Sequence, residues 1–518
     1  MQLSAFVAVA VAVSAVAYLC SRVADRLRCA AKARELGCQD PPKGIFWDWL
    51  GVHGMMRSIM AARKQRLPDF FFEWYAIASS RHGRPVRTVR VRAPFFREGI
   101  FTLDPQNLKT ILAVKFKDFG LGVHRIENFR PLLGSGIFSS NGERWEHSRA
   151  LLRPQFVRSQ VSDLELEESH IQALISVLER SRRPDGWTAM VDLQPLFFRM
   201  TLDSATEFLF GESVNSQLGA TENHARFARA FDKSQDSLSL GLRLGALHWL
   251  SRDAESRRNI AQVHSWVDRF VQLAIERGGS SEEKTAGTKY VFLHALAAVT
   301  QDPDELRSQL LNILLAARDT TASTLSWFLF TLADARNAGV FRRLRETIIQ
   351  EFNTYSNPRD ITFERMKSCQ YLQWCIEEIL RLYPAVSLNV RTALVDTVLP
   401  TGGGPNGESP IFVKKGADVS YSVHAMHRLP ELWGEDAHLF RPERWRDRRP
   451  NWDYLPFNGG PRICIGQLFA TTQIGFVLIR LLQRFDAIDG SMAGPVRHNL
   501  TLINSPGGGV KVKLHFAD

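Results

Sequence analysis

Residues 454–467 read Tyr454-Leu-Pro-Phe457-Asn-Gly459-Gly460-Pro461-Arg462-Ile463-Cys464-Ile465-Gly466-Gln467, and an apolar run with helical spacing follows to residue 485. A cysteine in a Gly/Pro-stiffened loop just before a helix faces free backbone N–H groups and the positive end of the helix dipole, which favour thiolate over thiol. That makes Cys464 a candidate metal ligand or nucleophile. An isolated cysteine is more often a buried structural thiol. The glycines around this one argue otherwise, because they remove side chains where something flat and bulky could approach the backbone. A cysteine hydrolase would need a histidine and an orienting group; none stands near in sequence, although folding could supply one.

Working outward, apolar periodicity predicts helices over 161–181, 195–210, 254–277, 303–335, 340–355, 363–383 and 466–485. Shorter strand-like runs lie at 86–91, 99–103, 391–399 and 410–413. The expected fold is mainly α with a minor β-sheet region. The helix from 303 spans ~45 Å and carries Leu311-Asn-Ile-Leu-Leu-Ala316-Ala317-Arg318-Asp319-Thr320-Thr321 in its middle. Polar groups there are costly unless paired, but the threonines can bond back to the carbonyl four residues earlier and Asp319 can pair with Arg318 at the surface. Glu378 and Arg381 share one helical face, and so do Trp145 and Arg149; taken alone, each pair has a bland reading as an amphipathic surface.

Composition narrows the class. The chain has 518 residues, of which 45% are hydrophobic, so it buries a large core and is neither disordered nor collagen-like. Its length gives a soft expectation of roughly three domains. Six cysteines without a CxxC pair exclude a disulfide scaffold, a zinc ribbon and a thioredoxin-like motif. Gly134-Ser-Gly136 lacks the third glycine of a dinucleotide fingerprint, and the run 402–407 lacks the lysine of a phosphate loop. His424 and His427 lack the spacing and glutamate of a zinc protease helix. The chain therefore carries no dinucleotide site of its own.

Phe457-x-x-Gly460-x-Arg462-x-Cys464-x-Gly466 matches, without a gap, the haem-binding signature of the cytochrome P450 family, which this chain resembles from about residue 41 to its end. The resemblance implies that fold, with Cys464 as the axial thiolate of haem b, a ligation that favours O–O cleavage. Arg462 then meets a haem propionate, with Phe457 and Gly466 shaping the cofactor loop. Asp319 and Thr320 match the family's oxygen-activation segment, in which an acid and the threonine after it deliver protons to dioxygen; Ala317 replaces the usual glycine, which bears on the room above the haem and on the helix kink. Trp145-x-x-x-Arg149 resembles the element that meets the propionates, and Arg391 stands where another propionate contact is frequent. Glu378-x-x-Arg381, followed by Arg444, resembles the buried charge network that holds the thiolate loop.

Residues 1–21 are uncharged and apolar enough for one span, and cations follow at Arg22, Arg26, Arg28, Lys32 and Arg34. The expectation is a signal anchor over 1–21, a basic flank and Pro-rich hinge over 22–44, and a catalytic domain over 45–518. The positive flank puts that domain in the cytosol, on the endoplasmic reticulum membrane, which also keeps the Asn499-Leu-Thr501 sequon unglycosylated. Residues 279–288 are expected to form a polar surface loop. The net charge of +11 concentrates at 21–34 and 441–449, suiting membrane lipid and an acidic electron donor rather than nucleic acid.

The resemblance implies a membrane-anchored monooxygenase acting on a lipophilic small molecule. Electrons come from NADPH through a flavin reductase, with cytochrome b5 as a second partner. The runs 312–323, 399–411 and 433–437 look most like the fungal branch that hydroxylates alkanes and fatty acids. A tailoring oxidase of polyketide or terpenoid secondary metabolism is the competing reading, and a non-oxygenating isomerase, dehydratase or haem sensor the third.

Overall fold

The computed structural model describes residues 2–45, 47–48, 51–93, 97–157, 164–276, 291–492 and 494–517, with the side chains of 2–5, 7–12, 15, 18, 19, 93 and 97 also outside the description. The loop expected at 279–288 lies outside the described residues. The chain is mainly helical with minor sheets and divides into two compact units: Met1–Met56, Glu73–Gly120 and Val390–Tyr421 form the first, and Arg57–Phe72, Leu121–Asn389 and Ser422–Asp518 the second.

The first unit holds a five-stranded sheet in the order Thr88–Ala93, Arg97–Thr102, Asp418–Ser422, Leu388–Ala393, Phe119–Gly120. Thr88 and Thr102 are buried opposite each other, which strands their hydroxyls from water; Asn107 Nδ2 satisfies both, at 3.1 and 3.2 Å. The N-terminal helix runs unbroken over Gln2–Glu35. Among the described residues no helix is long and apolar enough to cross a membrane; the anchor expected at 1–21 falls mostly on residues whose side chains lie outside the description. The proline segment after the helix is held down: Gln39 donates to the Pro410 carbonyl, Arg90 to the Pro42 carbonyl and Gly44 to the Arg90 carbonyl, each at 2.8 Å.

The second unit is built on the helix Pro303–Leu332. Its start is fixed by Pro303 at the first turn and by Asp302, whose carboxylate accepts from the Asp304 and Glu305 N–H groups. It is buried nearly all round, polar side chains such as Gln309, Asn312, Arg318, Asp319 and Ser323 included. Its C-terminal half shares a core with the helices Glu165–Glu179, Ala338–Phe352, Gln370–Leu382 and Gln467–Arg484, its N-terminal half with Glu222–Leu244, Ala254–Glu276 and Phe292–Ala297. The helix expected over 363–383 is two, Phe363–Ser368 and Gln370–Leu382. They part at Cys369, whose ψ of 83° leaves the helical region.

Candidate active site

The cysteine loop is shaped by its own backbone. The Asn458 N–H donates to the Leu455 carbonyl (3.1 Å), the Ile463 N–H to Gly460 (3.0 Å) and the Cys464 N–H to Phe457 (2.9 Å), and Gly466 opens the helix Gln467–Arg484. Cys464 is exposed, yet enough protein surrounds its sulfur for burial to push the thiol pKa up, against the Gly466 N–H and the Arg149 guanidinium, which pull it down. Burial prevails, so the free thiol stays protonated, while the Gly466 N–H and the Arg149 guanidinium are the groups in place to favour a thiolate once a metal takes the proton's position.

Trp145 and Arg149 stand on the helix Gly142–Leu152. Arg149 donates to the Ile463 carbonyl at 3.0 Å, beside Cys464. The Arg462 guanidinium lies 4.4 Å from the centre of the buried Trp145 ring and donates to the Ser140 carbonyl and Asn141 Oδ1 at 3.0 and 3.1 Å. Gly134 and Gly136, which fit no phosphate loop, belong to the stretch that reaches this patch. A Cβ on Gly136 would sit 2.2 Å from Asn312 Nδ2, so only glycine lets the loop close on the long helix, where Asn312 Oδ1 accepts from the Phe138 N–H at 3.1 Å.

Leu315 and Ala317 on the long helix, Ile465 in the loop and Phe469 on the helix after it are half-buried and, like Ile137, Phe138 and Phe156, pack against one hydrophobic cluster. Thr320 Oγ1 donates to the Ala316 carbonyl at 2.7 Å, so its proton is tied to the helix until the side chain rotates. Asp319 pairs with Arg318 (3.4 Å), but in the interior rather than at the surface. Arg318 also bonds Asp232 on the helix Glu222–Leu244 at 2.5 Å, and Gln235, with its amide turned to satisfy both neighbours, donates to Asp319 and accepts from Arg318.

Burial, with Asp232 adding to it, pushes the Asp319 carboxyl up to about 6 against the pull of Arg318 and Gln235. The unfolded group titrates near 3.8. Its stabilising contribution is therefore complete below pH 3.8 and lost as pH rises through 6, by at most about 3 kcal/mol. Asp319→Asn removes that loss. In denaturant titrations the variant is expected to gain ~1–3 kcal/mol on the parent between pH 4 and pH 8; a difference that does not change with pH would contradict the assignment.

Glu378, Arg381 and Arg444 meet in one cluster, the first two with no exposure. Arg381 donates Nε and Nη2 to Glu378 at 2.9 and 2.8 Å, and its remaining protons to the carbonyls of His427, Ala437 and Leu439. Arg444 reaches Glu378 at 3.3 Å and Asp436 at 3.0 Å. The same carboxylate accepts from Trp445 Nε1 and the Arg441 N–H, both at 3.0 Å. His427 finishes the connection. Its Nδ1–H donates to the Arg381 carbonyl and its Nε2 accepts from the Leu455 N–H, each at 2.9 Å, at the base of the cysteine loop. Burial holds the His427 pKa well below the ordinary histidine range, which keeps the neutral tautomer those bonds require.

Sequence reasoning missed His427, having weighed it only as a zinc ligand. Trp445 was visible beside Arg444 but without a partner to assign. Arg391 belongs to the first unit, on the strand Leu388–Ala393, buried and donating to the Val390 carbonyl at 3.0 Å. In the basic run 441–449, Arg441 pairs with Asp436, Arg444 with Glu378 and Arg448 with Asp453, leaving Arg446 and Arg449 exposed.

The residues present suit a haem with a thiolate ligand: an exposed cysteine in a backbone-fixed loop, two guanidiniums beside it against a buried tryptophan, and an apolar helix alongside. The family model "Cytochrome P450" matches residues 94–511. The chain is 47% identical to "Cytochrome P450 monooxygenase g430" of Fusarium sp, over 94% of this chain and 86% of that one. It is 42% identical to "Cytochrome P450 52A9" of Candida maltosa, over 85% of each. It is 39% identical to "Cytochrome P450 monooxygenase alt2" of Alternaria solani, over 93% and 92%.

Proposed function

The chain belongs to the cytochrome P450 family and is a monooxygenase whose cofactor is haem b, and from that premise we propose that it is membrane-anchored and hydroxylates the saturated chain of a fatty acid or alkane. Haem, when bound, supplies dioxygen activation and the insertion of one oxygen atom into a C–H bond. Cys464 would hold its iron. Arg149 and Arg462 would hold its propionates by charge-assisted hydrogen bonds, Trp145 keeping the Arg462 guanidinium in place. Phe457 fixes the cysteine backbone through its carbonyl. Asp319, titrating near 6, exchanges protons at neutral pH, and the Thr320 hydroxyl passes them on once it leaves the Ala316 carbonyl.

The observation that supports the substrate class is the set of half-buried apolar side chains that the long helix and the segments near the cysteine loop pack against one hydrophobic cluster, among them Ile137, Phe138, Phe156, Leu315, Ala317 and Leu502. Side chains of this kind offer an alkyl chain contact without hydrogen-bond demands. Anchoring is supported by the apolar run 1–21 and its basic flank, and by the helix Val52–Arg63, which buries none of its side chains and exposes Val52, Met55, Met56, Ile59 and Met60 at helical spacing. Single-pass insertion in the endoplasmic reticulum with a cytosolic catalytic domain fits that pattern. Arg446 and Arg449 would face an acidic surface of an NADPH-dependent flavin reductase.

Incubation of the holoenzyme with reductase, NADPH and lauric or palmitic acid tests this. Hydroxylation at or near the chain end is expected. No turnover at any chain length would transfer the reading to a tailoring oxidase of aliphatic secondary metabolites.

A further inference from the structure

The helix Val123–Leu133 carries His124 and Glu127 three residues apart, hence on one face. The turn Gly245–Ser251 brings His248 against that face. The two imidazole rings have centroids 6.0 Å apart, and His248 Nε2 stands 3.6 Å from Glu127 Oε2. One ligand atom from each of the three residues lies within 4.8 Å of the others.

His248 decides what this cluster can be. The ring is buried, and its Nδ1 faces the Gly245 carbonyl oxygen at 3.2 Å. That oxygen only accepts, so Nδ1 donates to it, and Nε2 is the nitrogen left facing the Glu127 carboxylate. Either a proton or a cation between Nε2 and the carboxylate satisfies both. A backbone carbonyl on the far nitrogen is also the usual way a ligating histidine is oriented.

The donor set identifies the cation. Two imidazoles and one carboxylate suit a borderline ion rather than calcium or magnesium, which take oxygen ligands. The 3.6 Å separation is near the ~3.3 Å edge of a tetrahedron with zinc-length bonds. We propose that His124, Glu127 and His248 form a binding site for a divalent transition ion of the zinc class, with water completing the fourth position. Its bases are fixed before the ion arrives. Asn128, buried beside Glu127, donates to the Leu238 carbonyl at 2.8 Å, and a Cβ on Gly241 would collide with it, so glycine lets the two elements close. Of the nearby arginines, Arg252 bonds the Glu127 backbone carbonyl and Arg125 lies over the Phe129 ring at 5.2 Å. Glu127 is half exposed, so the ion enters from solvent and pins the turn to the helix.

The test uses untagged, haem-loaded full chain, equilibrated with zinc ions against a chromophoric chelator, with zinc counted separately from iron. One zinc per chain is expected, with a raised thermal midpoint. His124→Ala, His248→Ala and Glu127→Gln should each weaken binding by about tenfold or more and abolish the thermal shift. Glu127→Gln changes an exposed side chain and keeps the test valid if a histidine variant misfolds. A parent protein that takes up no zinc, which would leave a proton between His248 and Glu127, overturns the site. Unchanged zinc binding in the variants does so as well.

Discussion

Cys464→Ala is expected to abolish completely the absorption band of the reduced, carbon-monoxide-bound protein near the wavelength that names the family, while leaving the chain folded. The loss follows from the ligand, since that band reports thiolate ligation of haem iron. The survival of the fold follows from the loop. Its shape rests on backbone bonds from Asn458, Ile463 and Cys464, and alanine keeps every one of those N–H groups and carbonyls. Cys464 is also exposed, so removing its sulfur opens no core cavity, and the stability change should stay within about 0.5 kcal/mol. The other candidate ligands are poorly placed. Cys369 and Cys375 are buried within the apolar core, whereas Cys464 is exposed. A band that persists in Cys464→Ala would remove the central assignment; a variant that fails to fold would contradict the claim that the backbone alone sets the loop.

The sequence made this loop legible because the determinants are local. Glycine, proline and cysteine act within ten residues of one another, and the helix that follows is an unbroken apolar run. The long helix was equally clear, with its proline start and apolar residues recurring at helical spacing over thirty residues. Glu222–Leu244 was not. Its inward face is Phe227, Ala230, Phe231, Ser234, Leu238 and Gly241, so small and polar residues occupy positions where periodicity needs large apolar ones. Ser234 hides its hydroxyl on the Ala230 carbonyl at 2.8 Å, a device visible only after folding. The strand Asp418–Ser422 escaped for another reason, since its parallel partner Arg97–Thr102 lies more than three hundred residues away. The site's parts are likewise separated by more than a hundred residues of chain. Trp145, Asp319 and Arg462 could each be matched to a motif, but what Asp319 does depends on Asp232 and Gln235, and spacing along the chain does not encode that.

Glu378→Ala and Arg381→Ala should each yield protein with little or no haem, at a cost near 3–5 kcal/mol, the usual consequence of leaving one member of a buried ion pair alone. The geometry puts this pair at the upper end. Glu378 accepts from Arg381 twice, from Arg444, from Trp445 and from the Arg441 backbone, so its removal strands donors from four residues at once. Arg381→Ala strands three carbonyls and the carboxylate. The damage then has a route to the cofactor. The Arg381 carbonyl holds the His427 ring, and the ring holds the Leu455 N–H at the start of the cysteine loop. Loss of haem should therefore exceed loss of helix content. His427→Phe separates the two effects: it leaves the ion pair intact but deletes both ring hydrogen bonds, so it should lower haem occupancy at a smaller cost in stability, about 1–3 kcal/mol. Full haem occupancy in both Glu378→Ala and Arg381→Ala would show that the network is dispensable for the loop, and full occupancy in His427→Phe alone would show that the two are joined some other way.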